Sequence, residues 1–213
     1  MRHANQLRYT TNFLVWTNFN IVVIIVSMQR GSIIIDTLQP VVMAFAVFMM
    51  IYLFLFQPHK VDGNSMYPRF HDKEYILTDK LSYNTGSPKR GEVIVFHAPP
   101  PANSDYIKRI IGMPEETIVL KEGYVYINDE KLPEEYLPNG LLTNQKSFLR
   151  NNVPYKIPPG YYMVLGDNRN YSSDSREFGP IARKAIVGKA WVRYWPPSAM
   201  GIIPHENYLT IPK

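Results

Sequence analysis

A mostly-β domain behind one or two membrane-spanning helices is the fold class this chain predicts, and three observations predict it. Residues 41–56, VVMAFAVFMMIYLFLF, carry no charge. From Val61 onward the apolar residues fall in short runs rich in Val, Ile and Tyr, bounded by Gly, Pro, Asn or Asp, which is the pattern of strands and turns. Eighteen prolines, many of them in 97–101, 154–159 and 196–204, oppose long helices there.

Taken in order, the elements begin with the uncharged run. Extended upstream through Ile33, Ile34 and Ile35, it gives a span of about 33–54, long enough to cross a bilayer as a helix, with Asp36 near one interface. A buried core helix normally keeps a polar face, and this stretch has none. An earlier apolar stretch, 13–28, carries Thr17, Asn18 and Asn20. It reads equally as a first span, an interfacial helix or an N-terminus set too early. No small-residue cleavage site follows it, as a cleaved leader would need. Arg30 lies between the two stretches, and the positive-inside rule puts it in the cytoplasm. Residues 1–57 are then the membrane region, and 58–213 an extracytoplasmic domain. In that domain the strands are 75–78, 92–96, 106–111, 117–120, 124–127, 161–165 and 186–194. Asn128 and Asp129 follow the fifth of them and mark a hairpin edge. Residues 132–154 lack periodicity and read as a loop or small insertion.

Composition excludes several classes of function. Of 213 residues, 46% are hydrophobic and 19% charged, short of the usual quarter. The net charge of +5 divides into +3 for residues 1–60 and +2 for the rest. An almost balanced outer domain argues against nucleic acid as a partner. Aromatic content of 13% excludes intrinsic disorder. With no cysteine there is no disulfide framework, thiol nucleophile or zinc–cysteine site. No metal-ligand or nucleotide motif appears, and no metal or cofactor is expected. The five histidines are scattered. His97, beside Pro99–Pro101, reads as a surface turn residue, and nothing selects a Ser-His-Asp triad.

Three stretches have chemical potential. Gly63-Asn64-Ser65-Met66-Tyr67-Pro68 presents a serine among turn-forming residues just beyond the span. Such a serine can offer its hydroxyl and its own backbone N–H to an oxyanion, although a polar loop after a span is also common. In Asp105–Gly112, strand alternation puts Tyr106, Lys108 and Ile110 on one face and Ile107, Arg109 and Ile111 on the other. A lysine among apolar residues invites burial, and burial favours the neutral amine that a general base requires; an exposed edge-strand lysine is the alternative. Leu165–Arg176, dense in hydrogen-bonding groups, is either a solvated loop with Asx turns or a shell that orients other groups.

Together and in this order, these stretches resemble bacterial type I signal peptidases over about residues 54–197. Ser65-Met66-Tyr67-Pro68 resembles that family's Ser-Met-x-Pro box, and Arg90–Phe96 its Arg-Gly-Asp-hydrophobic strand. Tyr106–Gly112 resembles its Lys-Arg box, and Gly166-Asp167-Asn168-Arg169 through Asp174-Ser175-Arg176 its Gly-Asp-Asn box. The resemblance implies the complex β fold shared with LexA-like repressors. It also implies a membrane-bound serine endopeptidase, working without cofactor through an acyl-enzyme. Such an enzyme removes signal peptides from exported preproteins after small residues at −3 and −1. Ser65 would be the nucleophile and Lys108 the general base, with Ser172 bonding the Lys108 amine. Asp174 and Arg176 would form a supporting ion pair, with Asp167 and Arg109 bracing the site. Met66, Tyr106 and Ile107 would line substrate pockets. The implied partners are preprotein signal peptides and the lipid bilayer. The implied protein is a monomer in the plasma membrane, with its catalytic domain outside.

Two departures stand out. Some members carry a second serine two residues before the nucleophile, donating to the oxyanion. Here Gly63 holds that place, leaving the Ser65 backbone and the Gly63 region to supply the donors. After the lysine box the family reads Gly-Leu-Pro-Gly. Here Glu115 replaces the last glycine, so a strained turn and a modest loss of stability are expected. Two alternatives are a LexA-like self-cleaving Ser-Lys protein and a non-catalytic, membrane-anchored β-rich binding protein.

Overall fold

The computed structural model of the chain describes residues 35–52, 54–102, 104–206 and 208. Its contacts separate into two units, divided between residues 52 and 53. In the first, α1 (Ile35–Tyr52) is a single helix of 18 residues, long and apolar enough to cross a membrane. At 1.5 Å per residue it is about 27 Å long, close to the hydrocarbon thickness of a bilayer. Its apolar side chains, among them Val41, Phe45, Phe48 and Met50, are exposed. The earlier stretch 13–28 lies outside the described residues.

The second unit is built from strands: β1 (Phe56–Lys60), β2 (Tyr75–Asp79), β3 (Val93–His97), β4 (Asp105–Gly112), β5 (Thr117–Lys121), β6 (Tyr124–Ile127), β7 (Glu130–Lys131), β8 (Tyr155–Lys156), β9 (Tyr161–Leu165), β10 (Ile181–Ala182), β11 (Ile186–Trp195) and β12 (Gly201–Ile202). Two short helices, α2 (Ser82–Thr85) and α3 (Ser175–Phe178), interrupt them. The larger sheet runs β1-β2-β11-β3-β4-β9-β10, with β12 paired to β11, and the smaller runs β7-β6-β5-β8. The fold is mostly β, as the sequence predicts.

Burial follows position in the sheets. Residues 93–96 of β3 are buried without alternation, because the strand lies between β11 and β4 and both its faces are covered. β2 and β6, nearer their sheets' edges, alternate between buried and more open positions. Asn128 and Asp129 take φ of 49° and 67° between β6 and β7, the left-handed pair a two-residue hairpin requires.

All seven strands read from the sequence are present. β1 was not anticipated, and its first two residues, Phe56 and Gln57, fall in the segment assigned to the membrane region. Phe56 pairs with Asp79 and stacks on Trp191 at 5.2 Å. β7, β8, β10 and β12 have two residues each, too few to show a period. Residues 132–150 hold no strand or helix. Glu115 takes φ 69° in the turn between β4 and β5, where its N–H donates to the Ile157 carbonyl at 2.9 Å.

Three apolar clusters make the core of this unit. One, around Ile118, Leu120 and Met163, lies beneath the smaller sheet. A second gathers Val61, Met66, Phe70, Ile76 and Val95. The third joins Ile94, Phe96, Ile110 and Val164. β4 contributes to all three, through Ile107, Ile110 and Ile111.

Candidate active site

Ser65 sits in the turn region that follows β1. The turn is closed by Tyr67 N–H to the Asn64 carbonyl at 3.2 Å and Phe70 N–H to the Met66 carbonyl at 3.0 Å. It is tied to the Gly166–Arg176 segment by Asn168, whose backbone N–H donates to the Ser65 carbonyl and whose side chain donates to the Asn64 carbonyl, both at 3.0 Å.

Lys108 enters from β4, where it lies opposite Ile94 of β3. Its Nζ donates to Ser65 Oγ at 2.8 Å and to the Ile107 carbonyl at 2.9 Å. The Tyr106 ring lies 5.1 Å from the amine. The residue is 3% exposed. Burial pushes its pKa down to about 8; Asp174 and Asp167 oppose the shift and Lys146 adds to it. An ordinary lysine is neutral in roughly one molecule of 3,000 at pH 7, and one with a pKa of about 8 in roughly one of ten.

Behind the pair stand three buried arginines. Arg109 grips Asp167 with two bonds, Nε to Oδ1 at 2.9 Å and Nη2 to Oδ2 at 2.6 Å, and donates to the Gly91 carbonyl at 2.8 Å. Burial works against its charge, but Asp167 outweighs burial and the pKa rises. Arg176 grips Asp174 in the same way, at 2.9 and 2.8 Å. Asp174 caps α3 by accepting from Arg176 N–H and also accepts from Gly166 N–H, each at 3.1 Å. Burial raises the Asp174 pKa, yet the Arg176 bonds hold it below the ordinary value. Arg169 binds Glu134, Tyr136 and Thr143 of the irregular 132–150 segment. Sequence reasoning missed these last three, because their segment has no period to mark a buried face.

The other expected site residues divide. Tyr106 and Ile107 line a cavity of about 330 Å³ that Ser65 and Lys108 also line, with His59–Asp62, Ile76, Val95 and Asp105 as further walls. Met66 is 1% exposed and packs in the second core cluster. The turn points this apolar side chain inward, so it is a core residue and not a wall of that cavity. The Gly63 N–H donates to Asp72 Oδ1 at 2.8 Å and is not free for an oxyanion, because the φ of 85° at Gly63 aims the group at that carboxylate. The Ser65 N–H donates to no protein group among the described residues. Ser172 is buried, and its hydroxyl bears on Asp174, whose pKa it helps to lower; the expected bond to Lys108 is not made. Its place depends on Gly166, where a Cβ would overlap Ser172 Oγ and the Ser65 carbonyl. Among the described residues no His, Asp and Glu side chains gather as a metal-ligand cluster.

One further feature shapes the site. β3 pairs with residues 105–109 of β4 on one edge, but β9 pairs on the other only from Arg109 onward. Among the described residues, no strand covers the second edge of 105–108.

A mostly-β body in which a buried lysine amine touches a serine hydroxyl at the wall of a groove has the form of a serine hydrolase. Comparison with known proteins narrows that class. The profile of the family described as "Signal peptidase, peptidase S26" matches residues 34–195. The chain is 36% identical over 174 residues to Signal peptidase IB of Staphylococcus aureus (strain COL), covering 76% of this chain and 90% of that protein. It is 40% identical over 151 residues to Signal peptidase I of Bacillus caldolyticus, covering 68% and 82%. A crystal structure of a signal peptidase I from Enterococcus faecalis V583 aligns at 31% identity with a TM-score of 0.41, over 48% of this chain and 96% of that one. The chain belongs to the signal peptidase family, peptidase S26.

Proposed function

We propose that this chain is a membrane-anchored endopeptidase that removes signal peptides from exported preproteins, with Ser65 as nucleophile and Lys108 as general base. The observation that carries the reading is the 2.8 Å contact between Lys108 Nζ and Ser65 Oγ, made by an amine whose burial favours its neutral form. The neutral amine accepts the seryl proton as Oγ attacks the scissile carbonyl carbon. The Ser65 N–H faces the oxygen that becomes negative. Collapse of the intermediate breaks the C–N bond, and the Lys108 ammonium returns its proton to the leaving amine. Water then attacks the acyl ester, again with Lys108 as base, and frees Ser65.

The open edge of β4 supplies the binding mode. An extended peptide laid along 105–108 gains main-chain hydrogen bonds by strand addition. Side chains alternate along a strand, so positions −1 and −3 face the same way. Ile76, Val95 and Ile107 give that side apolar walls, which suits small residues.

Several features support a bilayer as partner. α1 is long and apolar enough to span. Trp191, Tyr194 and Trp195 of β11, Met200 just before β12 and Ile202 on it are exposed, and the amphipathic Trp and Tyr rings favour a membrane interface. By the positive-inside rule a cytoplasmic Arg30 goes with residues 58–213 outside the plasma membrane, and on this reading the chain acts as a monomer.

The test is incubation of the purified full-length chain with a preprotein in detergent, reading the product N-terminus by mass spectrometry. Wild type cleaves in trans, whereas Ser65→Ala and Lys108→Met do not, although both fold. Cleavage confined to the chain itself supports a LexA-like protein, and none by wild type supports a binding protein.

A further inference from the structure

The interior of the curled sheet beside Ser65 has two tiers. Side chains two residues apart share a face of a strand. Val61 just after β1, Ile76 of β2, Val95 of β3 and Ile107 of β4 pack together in the second core cluster. One pleat further along the same four strands stand His59, Thr78, His97 and Asp105, and all four are polar. The four steps lead the same way, because β1 runs antiparallel to β2, β3 to β4, and β2 and β3 each to β11.

The polar tier is one hydrogen-bonded chain. His97 Nδ1 lies 2.6 Å from Asp105 Oδ1, His59 Nε2 lies 3.1 Å from Asp105 Oδ2, and His59 Nδ1 lies 2.9 Å from Thr78 Oγ1. An ionised carboxylate only accepts, so both rings donate to Asp105. The contact between His59 and Asp105 is not one between neighbouring strands. β2, β11 and β3 lie between β1 and β4, which in a flat sheet would hold the two about 19 Å apart. The sheet curls until these strands face each other, and the pair spans the gap. His59 and Asp105 line the cavity that Ser65 and Lys108 also line.

A peptide laid along 105–108 with its −1 residue beside Ile107 has its −3 residue beside Asp105, since both strands repeat every second residue. The two positions therefore meet different tiers. At −1 the walls are hydrocarbon. At −3 they include a carboxylate with about four acceptor sites, of which the two rings take two. The remaining ones can accept from a substrate hydroxyl.

We infer that His59 and Asp105 are specificity-determining residues: Asp105, aimed by His59, gives the −3 position a preference for a small side chain that carries a hydrogen-bond donor. The −1 position has no such preference. This rests on the peptidase reading and the strand-addition mode above.

The experiment uses the full-length chain in detergent with preproteins that differ only at −3 (Thr or Val, which have the same shape) or only at −1 (Ser or Ala). The ratios of kcat/KM are compared for wild type, His59→Leu, His59→Gln and Asp105→Leu, with Ser65→Ala and Lys108→Met alongside. Wild type favours Thr over Val at −3 by about fivefold, the scale of one hydrogen bond. In His59→Leu and Asp105→Leu that ratio falls to about one, while His59→Gln, which keeps a side-chain donor, retains most of it. The Ser-to-Ala ratio at −1 is the same in every variant. A wild type indifferent between Thr and Val overturns the proposal. So does a ratio that neither leucine variant moves, a shift at −1 in place of −3, or a loss shared by all four substrates, which is what a purely structural latch between β1 and β4 would give. Cleavage by Ser65→Ala or Lys108→Met, or none by wild type, overturns the peptidase reading and this inference with it. Fixed ratios with both dyad variants inactive overturn this inference alone.

Discussion

The two faces of β4 hold adjacent cations with opposite fates. Lys108 and Arg109 are 3% and 0% exposed, so each has lost its water. Arg109 meets a carboxylate in a two-pronged grip. Lys108 meets a hydroxyl and a carbonyl, and forms no ion pair among the described residues. Burial alone disfavours both charges; what differs is the partner. Arg109 stays charged and braces Asp167, whereas Lys108 is moved toward neutrality. Alternation along one strand thus separates a cation paired with a carboxylate from one bonded only to neutral oxygens, within a single residue step.

The largest expected effect comes from breaking that distinction at Lys108. Lys108→Arg keeps a cation but one that stays protonated in proteins. Cleavage falls by roughly a thousandfold, the scale of losing a general base. Because guanidinium does not deprotonate, activity does not return at pH 10. Recovery at high pH in the kinetic profile would show that the base lies elsewhere.

The opposite face breaks differently. Asp167→Ala leaves Arg109 buried without its carboxylate, which costs about 3–5 kcal/mol. Chemical denaturation reads this as a lower midpoint with unchanged slope. Activity is lost with it, because Asp167 lies in the segment that also carries Asn168 and its bonds to Ser65 and Asn64.

How much of this was legible in the sequence follows from how local each signal is. The period-2 alternation in Asp105–Gly112 placed Lys108 and Arg109 on opposite faces, and the turn-rich context of Ser65 marked it as a projecting hydroxyl. The central strands were legible because Val93–Phe96 and Tyr161–Leu165 are nearly continuous apolar runs. The partners of Arg169 were not, since Glu134, Tyr136 and Thr143 lie in a segment without periodicity, and long-range pairing leaves no local trace. Met66 was misplaced for a related reason. A residue next to a projecting serine looks like part of the same wall, but the turn sends it into the core with Val61 and Phe70. The commitment of the Gly63 N–H to Asp72, nine residues away, is likewise a tertiary fact.

A subtler consequence of the Lys108 environment is a dependence of stability on pH. The folded pKa of about 8 lies below the ordinary lysine value of 10.5. Between those values the unfolded chain binds more protons than the folded one, so stability rises with pH across that window. Below pH 8 the cost of the buried ammonium is fully present, on the order of 3 kcal/mol at most. Lys108→Met removes the titrating group. It is therefore more stable than wild type at pH 7, and the difference between the two shrinks as pH climbs from 8 toward 10.5. Parallel denaturation curves at pH 7 and 10 measure it, and a gap that widened with pH would mean that the ammonium is the stabilised form.

The smallest effect lies just past the end of the same strand. Glu115 holds φ 69° in the turn from β4 to β5, a conformation that costs a residue with a Cβ about 1 kcal/mol and glycine almost nothing. Its backbone N–H is bonded to the Ile157 carbonyl, so the turn keeps its shape whichever residue stands there. Its side chain is exposed, so removing it leaves no cavity. Glu115→Gly therefore stabilises the domain, although the greater freedom of glycine in the unfolded chain offsets part of the relief. The net gain is about 0.5 kcal/mol, a rise of a degree or two in Tm by calorimetry for a domain of this size. Because the turn lies beyond Gly112 and touches neither Ser65 nor Lys108, kcat/KM stays at the wild-type value. A drop in activity without a change in Tm would mean instead that Glu115 acts on the site through the strand that carries Lys108.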